Sequence, residues 1–133
     1  MAEDTVLSGP AQPEVTISCG QPQRYSYTVV LRKPPGQTWP DGHTGKILMS
    51  GVFDNQNNAR DSATISQPVN TLDGYTLEWL VFIKVPGGGK GQFSVTVEVK
   101  QNGNTVGGPF RTPGTVDDVE TVADFSDLQV DQS

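Results

Sequence analysis

The chain has 133 residues, enough for one domain with a single core that needs no metal or disulfide staple, and its one cysteine, Cys19, excludes an internal disulfide. Fifteen glycines, ten prolines and only 18% charged residues, with no long runs of Ala, Leu, Glu and Lys, argue against a helical bundle and for short strands joined by turns. The net charge of -6 sits in one place: from Thr115 onward there are six acids and no base, which leaves nine acids against nine bases in a body that offers no long-range attraction to nucleic acid or an anionic membrane.

Residues 1–13 read as an N-terminal extension. They carry acids where a signal peptide needs Lys or Arg, and they lack an apolar core. No apolar run reaches membrane-spanning length, so no membrane insertion is expected. The sequence assigns no compartment: the cytoplasm, a virion and export by a non-classical route are all compatible with it.

The strand signals begin at Glu14. Glu14 to Cys19 alternates Val15, Ile17 and Cys19 with Thr16 and Ser18, and Tyr25 to Arg32 alternates Tyr25, Tyr27, Val29 and Leu31 with Ser26, Thr28, Val30 and Arg32. Lys46 to Phe53 and Ser62 to Val69 are weaker strands. Tyr75 to Val85 places Leu77, Trp79, Val81 and Ile83 on one face but Leu80 and Phe82 on the other, between Glu78 and Lys84. Gln92 to Lys100 alternates cleanly. With PGGGKG between these two read as a hairpin loop, Val85 would stand opposite Phe93 and Glu78 opposite Lys100. Asn102-Gly103 is a type I′ turn signal, and a short strand at Asn104 to Val106 should follow, with Gly107, Gly108, Pro109 and Pro113 limiting further pairing. These elements predict an all-β fold, an antiparallel β-sandwich of six to eight strands with Ig-like or jelly-roll connections, over residues 14–114.

Residues 115–133 read as an acidic C-terminal arm. Val116, Val119, Val122, Phe125 and Leu128 recur every third residue, matching neither the 3.6-residue helix nor the two-residue strand. On a helix five such groups smear around the surface, whereas an extended three-fold arm puts them all on one edge. Such an arm docks on an apolar surface of a partner, and Leu80 with Phe82 is the surface suggested.

Catalytic constellations are thin. His43 is the only histidine, no serine elbow accompanies it, and Glu78 and Glu98 are the only acids within confident strands. GGGKG lacks the Ser or Thr and the helix of a phosphate loop. A lone His and a lone Cys give no zinc set, and no cofactor is implied. Asp54, Asn57 and Asp61 are weak calcium candidates, but an EF-hand starting at Asp54 would need Gly at Ala59 and a carboxylate at Ile65. Trp39, in a Pro- and Gly-rich loop, is the candidate sugar platform, with Asn55, Asn57 and Asn58 as polar neighbours. Tyr25 and Tyr27 lie near Arg24, Arg32 and Lys33, but alternation turns both rings inward, against a base-stacking role. The leading expectation is therefore a non-enzymatic structural or interaction protein that forms a homo-oligomer or docks a protein partner, such as a virion or filament subunit. The alternative is a lectin-like module binding a glycan through Trp39, and a glycoside-active enzyme stands third.

Overall fold

Alternating apolar residues in strands can be buried only if a second layer covers them, and in a chain without long helix-forming runs that layer is a second sheet. A computed structural model describes residues 4–56 and 58–131. Its strands are β1 (Thr5–Leu7), β2 (Pro13–Cys19), β3 (Arg24–Arg32), β4 (Gly45–Asp54), β5 (Ala59–Thr64), β6 (Thr76–Lys84), β7 (Lys90–Gln101), β8 (Asn104–Asp117) and β9 (Val119–Val130), with one 3-10 turn at Val69–Thr71.

They form a β-sandwich. The first sheet has the order β4-β3-β6-β9, and β1 joins the free side of β9 in parallel. The second has the order β8-β7-β2-β5, and every pairing other than β1 with β9 is antiparallel. A single residue pair, Asp117 with Val119, joins β8 to β9 at one corner. Between the sheets lie Tyr25, Val29, Leu31, Leu77, Trp79, Val81 and Ile83 from one side and Val15, Ile17, Phe93, Val95, Val97, Val99 and Phe110 from the other, all buried. Trp79 and Phe110 stack across the core at 5.7 Å, and the Tyr27 hydroxyl donates to Asp61 Oδ2 at 2.7 Å, tying β3 to β5. Each fully buried side chain of this size contributes about 1.5–3 kcal/mol.

The expected strands are present, with three corrections. The strand expected at Ser62 to Val69 starts and ends earlier, as β5, and Val69 opens the 3-10 turn. The strand after Asn102-Gly103 is not short: that turn has φ of 51° and 80° as expected, but β8 then runs fourteen residues along the sheet's edge. Register shifts around Val97 to Lys100 absorb its glycine and proline stretch. Third, β6 and β7 are not a hairpin. β6 lies between β3 and β9 in one sheet and β7 between β2 and β8 in the other, so Glu78 stands opposite Val30 and Phe125, and Lys100 opposite Glu14. A cross-strand charge pair contributes about 0.2–1 kcal/mol, far less than burying two apolar faces against each other.

PGGGKG is accordingly a crossover between sheets. Gly87, Gly88 and Gly89 all have φ near +80° to +88°, a region costly for any residue with a Cβ. The Asp118 carboxylate, at the β8–β9 corner, accepts from Gly89 N–H at 2.7 Å, while Asp118 N–H donates to Gly89 O and Val85 N–H to Asp118 O.

Candidate functional site

The C-terminal stretch is a strand of the sandwich and not an arm. β9 pairs with β6 from Thr76 opposite Asp127 to Lys84 opposite Val119, and with β1 from Thr5 opposite Leu128 to Leu7 opposite Val130. The three-residue spacing then acquires a simple meaning, because in a strand every third residue changes face. Val122 and Leu128 point into the core and are buried, as is Val116 at the end of β8, whereas Val119 and Phe125 lie on the outside. The N-terminal extension is also drawn in: Thr5 is buried and shares a 2.8 Å hydrogen bond with Ser126.

Leu80 and Phe82 do not receive these groups. β9 lies edge to edge with β6, where backbone N–H and C=O need partners, and leaves the outer face of β6 bare. That face is the most distinctive surface of the molecule. Cross-strand register sets Val52, Ser26, Phe82 and Thr121 in one row, then Ser50, Thr28, Leu80 and Ala123, then Ile47, Val30, Glu78 and Phe125. Ile47 is 62% exposed, Phe82 54%, Val52 49% and Leu80 38%, with Val119 at 66% on the same side. Two apolar depressions of about 420 Å³ each mark the sheet, one around Val30, Leu80 and Phe125 and one around Phe82 and Val119.

Charge is confined to the ends of this face. Beside Phe82 lie Lys84, Arg24 and Asp54, the last two 3.7 Å apart. At the other end Arg32 Nε donates to Glu78 at 2.8 Å, and Asp127 accepts from the Thr76 hydroxyl. The sequence pointed to Leu80, Phe82, Val119 and Phe125, but as donor and acceptor of an arm and not as one surface. Ile47, Val52 and Val30 complete that surface. Their signal was the same, apolar residues on the second face of a strand, but it is legible only once the neighbours of β3, β4 and β6 are known.

The other candidates are dispersed. Trp39 packs against the core edge-on to Tyr75, and the Lys33 and Lys46 ammonium groups stand 4.8 and 5.5 Å from its ring centre. The ring is half-buried. Its loop precedes β4, whereas Asn55 and Asn58 follow it, and ten strand residues separate the two by about 30 Å. Asn55 and Asn58 have φ of 57° and 54°, so they serve the β4–β5 turn. Asn57 lies outside the described residues. Of the calcium candidates, Asp54 faces Arg24, while Asp61 accepts from Tyr27 and from Ser62 N–H; among the described residues no three His, Cys, Asp or Glu side chains cluster as a metal site.

Glu78 and Glu98 stand on opposite outer faces of the sandwich, the first bound to Arg32 and the second to Lys100 and Thr105, so they do not form a carboxylate pair. His43 is exposed in the β3–β4 loop, where its backbone N–H donates to the Asp41 carboxylate. Cys19 is buried, and burial pushes its thiol up to about 12, the opposite of an activated nucleophile. Tyr25 and Tyr27 are buried in the core.

No protein-family model matches this sequence, and no curated protein matches it. Among solved structures, the crystal structure of a DUF4425 family protein from Bacteroides ovatus aligns with a TM-score of 0.43 and 11% identity, over 88% of this chain and 96% of that one.

Proposed function

We propose that this protein is a non-enzymatic structural or interaction module that associates with a second copy of itself through the outer face of β4, β3, β6 and β9. The observation that carries the reading is that face: five large apolar side chains between 38% and 66% exposed on one four-stranded surface, more than scattered surface residues would leave. Four strands span about 19 Å and ten residues about 33 Å, so the face measures about 600 Å² in plan, comparable with the about 800 Å² per partner of a standard interface.

Charge favours a second copy as the occupant. Lys84 marks one end of the apolar field and Asp127 the other. A two-fold axis lying across the strands sets the Lys84 end of one copy over the Asp127 end of its mate, on both sides at once. Sheets packed in this way bury apolar side chains in the centre and leave the ion pairs at the rim.

Sedimentation velocity of the full chain across concentration tests the reading. The parent is expected to be a dimer, and Leu80→Glu/Phe82→Glu a monomer with an unchanged thermal midpoint, since both side chains face outward. A parent that stays monomeric throughout, or a double variant with the parent's mass, would overturn it.

A further inference from the structure

The opposite face of the sandwich has a different chemistry, and it carries an inference independent of self-association. The register of the second sheet places Arg60, Ser18, Thr96 and Arg111 side by side on β5, β2, β7 and β8, all on the outer side. They line a groove of about 600 Å³ that continues over Thr16, Ser94, Glu98 and Lys100. Its volume falls within the range of small-ligand sites.

The charges in the groove are not balanced. Lys100 and the Thr105 hydroxyl hold the Glu98 carboxylate, at 3.6 and 3.0 Å. Among the described residues, Arg60 and Arg111 have no carboxylate partner, although the protein as a whole is acidic. The Ser18 and Thr96 hydroxyls between them likewise have no hydrogen-bond partner among those residues. Three strand spacings separate the arginine backbones, about 14 Å, with a floor of hydroxyl groups between.

We propose that this groove binds a short acidic oligosaccharide, with Arg60 and Arg111 each holding a carboxylate of the sugar chain and Ser18 and Thr96 hydrogen-bonding the sugar hydroxyls between them. The guanidinium fork matches a planar carboxylate in two parallel hydrogen bonds, and two forks set apart select a ligand with two separated charges. No aromatic side chain lines the groove, which disfavours both a neutral pyranose held by stacking and an unstacked nucleobase. The net charge of -6 repels long polyanions at a distance, so a short ligand engaged locally fits better than a nucleic acid.

The test is an NMR titration of the full-length 15N-labelled protein with trigalacturonate, its methyl ester and inorganic phosphate, at matched ionic strength. Saturable shifts are expected for trigalacturonate, centred on Ser18, Thr96 and their neighbours. Arg60→Ala and Arg111→Ala should each weaken binding about ten- to a hundredfold, and the lysine variants, which keep the charge but lose the fork, should recover only part of it. Both arginines are exposed, so the variants should keep the parent's thermal midpoint and amide dispersion. Absence of saturable shifts with the acid trimer, equal binding of the ester, phosphate binding as tight as the trimer, or unchanged affinity in both alanine variants would each overturn the assignment.

Discussion

Ending the chain after Asp118 removes β9 and separates the two views of the C-terminal residues. An arm could be cut away and leave a folded body; a strand between β6 and β1 could not. The deletion takes Val122 and Leu128 out of the core, at about 1.5–3 kcal/mol each, and strips β1 of its partner, so Leu7, which is fully buried, is lost as well. Together these come to about 5–9 kcal/mol, before the nine register positions that pair β6 with β9 are counted. A domain of this size has about 5–15 kcal/mol in all. The truncated chain should therefore be unfolded or reduced to a collapsed state at room temperature. Near-UV circular dichroism and amide chemical-shift dispersion measure this directly. A truncated chain with native dispersion and the parent's urea midpoint would refute the placement of β9 in the core sheet.

The corner that carries β8 into β9 yields a second expectation. Asp118 has φ of 63° and its carboxylate accepts from Gly89 N–H, so Asp118→Ala loses both a tolerated left-handed residue and a hydrogen bond and should cost about 1–3 kcal/mol by urea denaturation; Asp118→Asn, which keeps both, should cost markedly less. A third concerns alkaline pH. Burial raises Cys19 from 9.0 to about 12 and Tyr25 from 10.0 to about 12, and burial with the Asp61 hydrogen bond raises Tyr27 equally. Each is neutral when protonated, so above pH 9 the unfolded chain sheds protons that the folded chain keeps. Stability is thus full below about pH 9 and falls through about pH 12. Urea midpoints should decline across that window, and less steeply in Tyr27→Phe, which removes one of the three groups; a flat profile would contradict the burial of all three.

Alternation made much of the fold legible beforehand. The β2, β3, β4, β6 and β7 strands, the inward tyrosines and the Asn-Gly turn all follow from residues whose nearest neighbours in sequence decide their geometry. The partners of those strands did not follow. A hairpin between β6 and β7 satisfied every local rule, and it is absent because each strand has two other neighbours whose pairing closes both sheets. Nor was the arginine row legible, since Arg60 and Arg111 are 51 residues apart in sequence and meet only through β2 and β7.

The C-terminal residues show where that boundary lies. By themselves they established that six acids and five regularly spaced apolar groups share one extended stretch, and that a helix would scatter those groups. Extension is a local property, and it was readable. Which apolar groups enter the core is not local: it depends on β6 standing at one edge and β1 at the other, which fixes the strand's two faces and divides the set. Val122 and Leu128 therefore hold the sandwich together, while Val119 and Phe125 join Leu80 and Phe82 on a surface that only the assembled sheet could create.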